Sequence, residues 1–295
     1  MTSKVSHPNY FGEVYRLFRK SKNFTQKEAA GNDISPNELS NFENGKAMLG
    51  ADKFFQILQN INVNSFEFQY TYNSYLEARD LLLFDVEVTD AYRHNNISKL
   101  KSILKKLTQL SSQNPQKKKY LLDRINVQAV LSILSPDFPM PLADRRYIQN
   151  YLLQIDEWGL YDIILLGRCA SIFDLKTLYE MVNQMISPTQ MSTKIHYIQR
   201  EMIRTVLNVL SIFIENDQYH LANQLVNYLD ENKIHEYHLF EKLTFIYDKA
   251  TLDYKKGNKN ALSTMKQCLE ILEFCECFST ANAVADEINQ IKSHN

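Results

Sequence analysis

Glycine and proline are scarce: seven of each in 295 residues leave little material for turns and favour helices with short connections. Long apolar runs are missing too. No stretch approaches the roughly 20 consecutive apolar residues that span a bilayer, and the N-terminus lacks the apolar core of a secretion signal, so the expected location is the cytoplasm, with no membrane partner. Cysteine is sparse. Cys169, Cys268, Cys275 and Cys277 are the whole complement, and the three near the end form no Cys-x-x-Cys motif, which speaks for buried thiols in a reducing compartment. No excess of charge exists either. A formal net charge of −1 excludes a bulk basic nucleic-acid binder, so any DNA contact must come from a local patch. There is no phosphate-cradling glycine loop and no nucleophile elbow. His235, His238 and Glu241 recur at three-residue spacing, but a metal site needs a further ligand and a supporting shell. No enzyme, metal or cofactor is expected.

Against these absences, the first seventy residues are dense in signals. Arg16, Arg19, Lys20, Lys22 and Lys27 lie between Val14 and Lys27 without one acid, although across residues 1–67 eight basic residues nearly balance seven acidic ones. Phe11, Val14, Tyr15 and Phe18 form an apolar stripe that predicts a helix over 10–20. Thr25, with Glu28 three residues later, forms a capping box that opens a short helix over 26–30. Gly31, Asn32 and Asp33 make a turn. Ser35 then caps a third helix whose first position is Pro36, where a missing amide hydrogen costs nothing; Gly45 stops it. Phe54, Phe55, Leu58 and Ile61 mark a fourth helix, and a turn of helix near Phe66 completes five.

The string Thr25-Gln26-Lys27-Glu28-Ala29-Ala30, followed by Ile34-Ser35-Pro36-Asn37-Glu38-Leu39-Ser40-Asn41-Phe42-Glu43-Asn44-Gly45-Lys46, resembles the phage-repressor-like (Xre-type) helix-turn-helix. The resemblance implies that the third helix enters the major groove of double-stranded DNA and presents Asn37, Ser40 and Asn41 to base edges. An asparagine amide offers the donor and acceptor that adenine requires. Arg16, Arg19, Gln26, Lys27 and Lys46 are the expected phosphate contacts. Pro36 stands where many relatives carry a base-reading amide.

From Tyr70 onward the pattern becomes amphipathic helices, about eleven of them, separated by brief polar breaks such as Pro136 to Pro141, Trp158-Gly159, Ser187-Pro188 and Asn232. Three breaks share a shape, an aromatic followed three residues later by Asn or Gly: Tyr92 with Asn95-Asn96, Phe213 with Asn216-Asp217, and Tyr254 with Gly257-Asn258. Their offsets, 121 and 41 residues, are close to three periods and one. With Leu221-Ala222 and Ala261-Leu262 just after two of them, they resemble degenerate tetratricopeptide hairpins. Stacked hairpins curve, and the concave side becomes a binding groove. The alternative is a plain helical bundle. Lys99, Lys101, Lys105, Lys106 and Lys117 to Lys119 make a basic stretch best read as a solvated helix face.

The helix-turn-helix string, the segment Tyr151-Leu152-Leu153-Gln154-Ile155-Asp156-Glu157-Trp158-Gly159-Leu160-Tyr161-Asp162 and the later Leu207-Asn208-Val209 together resemble the Rgg/GadR/MutR family of Gram-positive regulators. This resemblance implies an all-α fold: a five-helix helix-turn-helix domain over 1–68 and a TPR-like right-handed α-helical repeat over 69–295 that senses a ligand and dimerises. It also implies a homodimer that binds a short hydrophobic peptide or another small ligand, with RNA polymerase a further candidate partner. A groove for an extended peptide needs amides and guanidiniums for its backbone and carboxylate. Arg146, Gln149, Asn150, Arg168, Arg200, Arg204 and Asn208 are the candidates. Two rival readings are a protein-interaction adaptor without specific DNA binding and a cysteine-based redox-sensing regulator.

Overall fold

The computed structural model describes residues 10–77, 85–187 and 195–293, and every regular element among them is helical. Two compact units result, Met1–Arg93 and His94–Asn295.

The first unit contains α1 (Tyr10–Ser21), α2 (Gln26–Ala30), α3 (Pro36–Glu43), α4 (Ala51–Asn60), α5 (Ser65–Glu77) and α6 (Asp85–Arg93). Local signals set the short helices. The Thr25 hydroxyl accepts the Glu28 amide while the Glu28 carboxylate accepts the Thr25 amide at 2.8 Å, and the Ser35 hydroxyl accepts the Glu38 amide behind Pro36. These bonds satisfy amides that have no partner inside the helix. Val14, Tyr15, Leu39, Phe42, Ile57 and Leu58 bury together, and the Tyr15 hydroxyl donates to the Ile57 carbonyl at 3.0 Å. On α1, Gly12 lets the backbone of α3 approach so closely that a β-carbon would collide with the Phe42 carbonyl.

Near Phe66 the sequence predicts only a turn of helix, but α5 runs for 13 residues. The reason is aromatic packing: Phe68 and Tyr72 lie 5.0 and 4.7 Å from Phe11, centroid to centroid, and Tyr75 lies 5.7 Å from Tyr10. The helix therefore continues through position 68/69 and carries part of the first core beyond it.

The second unit holds α7 (Ile97–Gln113), α8 (Lys118–Leu134), α9 (Leu142–Leu153), α10 (Leu160–Cys169) with a 3-10 turn at Ala170–Ile172, α11 (Leu175–Met185), α12 (His196–Glu215), α13 (Tyr219–Glu231), α14 (Leu239–Lys255), α15 (Ala261–Phe274) and α16 (Phe278–Ser293). Of the expected break at Ser187-Pro188, Pro188 lies outside the described residues. Helices pair as hairpins, α7 on α8, α12 on α13 and α14 on α15, while α8, α10, α12 and α14 pack side by side as one continuous row. The three related breaks each contain a residue with positive φ: Asn95 at 49°, Asp217 at 56° and Gly257 at 104°. Asn, Asp and Gly tolerate that left-handed turn best. Ala222 and Ala261, just beyond two of them, are buried against the facing helices. Hydrogen bonds along the row join residues 37 to 42 apart, the same period as the 41-residue offset between the Phe213 and Tyr254 breaks. Trp158, fully buried, anchors the core between α9 and α10.

Candidate functional site

Two surfaces, one on each unit, carry the polar side chains that the sequence singles out.

On the first unit the structure corrects one of them. Arg19 is 7% exposed and cannot reach a phosphate. Its Nε and Nη2 donate to the two carboxylate oxygens of Glu43 at 2.5 and 2.8 Å, and its Nη1 donates to the Phe24 carbonyl at 2.7 Å. Such bidentate pairing is the strongest form of charge-assisted hydrogen bond, and here it ties α1, the α1–α2 connection and α3 together. The Gln26 amide joins the same carboxylate at 2.9 Å, which fixes the start of α2.

The rest of the set lies outward. Asn37, Lys27 and Lys46 are exposed, and Arg16, Ser40 and Asn41 are half-buried. Lys46 is held beside Asn41, because its amide donates to the Asn41 carbonyl at 2.8 Å. Asn44 is legible in the sequence only as the end of α3, yet it links the surface: its amide donates to the Ser40 carbonyl at 2.8 Å and its Oδ1 accepts from Arg16 at 3.4 Å.

On the second unit the seven expected ligand residues fall on three helices, α9, α10 and α12. Arg146, Gln149 and Asn150 stand on α9, which is held to α8 by the Arg124–Asp144 pair at 2.6 and 2.9 Å and lies outside the α10–α12–α14 stretch of the row. Arg200, Arg204 and Asn208 stand one turn apart on α12, within it. The Asn208 amide donates to the Gly167 carbonyl at 2.7 Å, next to half-buried Arg168. This contact depends on the bare glycine, since a β-carbon there would come within 2.9 Å of the Thr205 hydroxyl, itself bonded to the Ile163 carbonyl at 3.2 Å.

Arg200 and Arg204 converge on α14. The Nε of each donates to Oε1 of Glu241, at 2.9 and 2.8 Å, and Arg204 also reaches Glu201 at 2.8 Å. Glu241 is 2% exposed and its Oε2 has no hydrogen-bond partner. Burial pushes its carboxyl up, but the bonds from Arg200, its own backbone amide and Arg204 outweigh that and hold it below the usual carboxylate range. Both arginine side chains remain 43% exposed, with further donors to offer. The sequence offers Glu241 only as a third member of the His235–His238 group. Its separation from Arg200, 41 residues, is one repeat, and that period is the signal for the pairing.

Among the cysteines, Cys169 and Cys268 are buried, Cys275 is exposed and Cys277 is half-buried. Burial pushes the Cys169 thiol up to about 12 against the pull of Arg168, which leaves it unreactive. Lys117 lies over the Tyr120 ring and Lys119 over Tyr161, so part of the basic stretch covers aromatic surface. No described helix is long and apolar enough to cross a membrane.

Residues 104–286 match the family model of the HTH-type transcriptional regulator Rgg, C-terminal domain. Among solved structures, the SHP pheromone receptor Rgg2 of Streptococcus dysgalactiae is similar with a TM-score of 0.76 at 20% identity, over 95% of this chain and 99% of the receptor's. A Listeria monocytogenes EGD-e protein assigned as a transcriptional regulator gives 0.77 at 18% identity, over 98% and 99%. A bacterial peptide pheromone/receptor complex gives 0.70 at 11% identity, over 96% and 98%. At these identities the structural likeness establishes a common fold.

Proposed function

Because the chain belongs to the Rgg family of helix-turn-helix transcriptional regulators, we propose that it is a sequence-specific DNA-binding regulator controlled by a short peptide lying along the α10–α12–α14 row. The first unit, which α5 carries past the 68/69 boundary expected from the sequence, supplies the DNA-reading domain, and the second, from His94, the sensing and dimerising domain. The working form is a cytoplasmic homodimer that places two α3 helices in half-sites about 34–36 Å apart, with RNA polymerase a further partner at the promoter. Asn37, Ser40 and Asn41 read bases, while Arg16, Gln26, Lys27 and Lys46 hold phosphates.

Support for the peptide comes first from Arg200 and Arg204. A buried carboxylate fixes two guanidiniums on an otherwise open helix face, a pre-organised arrangement that meets a carboxylate or a run of peptide carbonyls at little entropic cost. Asn208 continues the stripe. That similar folds include a pheromone receptor and a peptide pheromone/receptor complex favours the same ligand class.

Two measurements test the reading. Operators selected from random DNA by the full-length protein should be bound about 5- to 150-fold more weakly by Asn41→Ala, the loss of one bidentate base contact of about 1–3 kcal/mol; absence of any selected sequence would sink the DNA half. Peptides selected from a synthetic hydrophobic heptapeptide library should lose about tenfold or more in affinity for Arg204→Ala, in line with about 1.5–3 kcal/mol for a hydrogen bond to a charged group. Unchanged affinity would move the groove elsewhere.

A further inference from the structure

The stripe on α12 does not end at Asn208. Arg200, Arg204, Asn208, Ser211 and Glu215 recur every three or four residues and so share one face, and along that face the charge reverses from cationic to anionic. At the anionic end, Ser211 and Glu215 of α12, Asp248, Thr251 and Lys255 of α14 and Glu287 of α16 enclose a cavity of about 150 Å³. Residues of α12, α14 and α16 all line it.

Asp248 is the decisive residue. It is 5% exposed, it lines the cavity, and its Oδ2 has no hydrogen-bond partner. A buried carboxylate oxygen without a donor is costly unless it takes up a proton or receives a cation. Lys255, the cation lining the same space, is engaged at its edge: its Nζ donates to the Ile214 carbonyl at 2.9 Å and to Asp217 at 3.2 Å. Burial, with Glu287 and Glu215 nearby, pushes the Asp248 carboxyl well up, and burial likewise raises Glu287 against the opposing pull of the Tyr247 hydroxyl and of Lys255. On α15, the Cys268 thiol feels Asp248 in turn. The occupant that fits is small, positively charged and rich in donors. No group of His, Cys, Asp or Glu among the described residues is arranged to hold a metal ion, whereas a primary ammonium carries three donors and needs space on the order of a few water volumes, about 30 Å³ each.

We propose that the Asp248–Glu287–Glu215 cavity binds a primary ammonium group, supplied by the free N-terminus of the peptide whose C-terminal carboxylate meets Arg200 and Arg204. The second half rests on the proposed peptide groove. Dimensions agree with it: the 11 to 15 residues from the arginines to Glu215 rise about 16–22 Å along the helix, the length of about five to seven extended residues.

The pH dependence has a definite sign. Both carboxyls titrate higher in the folded protein than in the unfolded chain, so folding takes up protons. The repeat is most stable at or below the unfolded carboxyl range and loses stability as pH rises towards the raised folded values. An ammonium ion favours the ionised carboxylates, so its binding releases protons and tightens with pH across the same window.

The test uses the full-length protein in two arms. Ethylammonium chloride at tens of millimolar should raise the thermal midpoint by a few degrees at pH 7.5, tetramethylammonium chloride at equal ionic strength should not, and the shift should vanish in Asp248→Asn and in Glu287→Gln, each checked for fold by circular dichroism. In the second arm, N-acetylation of library-selected peptides should weaken binding to the wild type at least tenfold and leave affinity for Asp248→Asn unchanged. A selective ethylammonium shift with harmless acetylation upholds the ammonium site and overturns the peptide N-terminus as its source. If ethylammonium has no selective effect and acetylation is also harmless, the proposal is overturned, while peptide loss in Arg204→Ala would still uphold the groove. If ethylammonium binds but no peptide does, the groove reading fails and the cavity stands.

Discussion

Glu43→Ala is expected to lower the stability of the first unit by about 3–5 kcal/mol, the usual cost of stranding one partner of a buried ion pair. The cost arises on the arginine. Arg19 cannot turn to solvent without abandoning its bond to the Phe24 carbonyl, so the variant keeps a buried guanidinium with no counter-charge. The Gln26 amide loses its acceptor in the same step. Hydrogen exchange on the full-length protein should show α1, α2 and α3 losing protection together while the repeat keeps its own, and operator binding should fall with them. Adding Arg19→Met to Glu43→Leu should recover much of the loss, because two apolar side chains leave no buried charge. Unchanged protection in α1–α3 of Glu43→Ala would show that the pair does not hold the unit together.

Gly12→Ala is the second large effect, and its sign is opposite to that expected for an open helix. In a solvated helix interior alanine is better than glycine by about 1 kcal/mol. Here the added methyl meets the Phe42 carbonyl oxygen, and the Phe42 carbonyl carbon lies 2.7 Å away. These are backbone atoms with no rotamer to yield. The helices must separate, opening the Tyr15–Phe42 contact, and a net loss of about 1–3 kcal/mol is expected from such overpacking. Urea unfolding followed by tyrosine fluorescence measures it. A Gly12→Ala variant as stable as the wild type would mean that α1 and α3 can slide apart at no cost. Because α3 carries Asn37 and Asn41, operator affinity should drop in this variant although no DNA-facing side chain has changed.

How much the sequence discloses depends on the range of the interaction. The capping box at Thr25 and Glu28 and the Ser35-Pro36 start of α3 are decided within four residues, and both are legible. The course of α5 is not. Phe66, Phe68, Tyr70 and Tyr72 alternate at a spacing of two, which blurs a helical stripe; the helix buries Phe68 and leaves Phe66 and Tyr70 exposed. Arg19 is hidden from a sequence reading for another reason. Its place inside depends on Glu43, 24 residues away; its position four residues after Tyr15 puts it on the inward row of α1, but without that partner an arginine there reads as the basic edge of the stripe. In the repeat, the 41-residue period is legible and supplies the pairing of Arg200 with Glu241. The placement of Arg146, Gln149 and Asn150 off the row is not, because residue type and position along the chain say nothing about which layer a helix joins.

Arg200 and Arg204 face Glu201 and Glu241, two positive groups against two negative ones. At distances beyond the Debye length such a patch has almost no field, so the arginine end of the proposed groove would not itself draw a ligand in by long-range attraction. Discrimination between ligands at this patch then falls on how long each stays rather than how fast it comes.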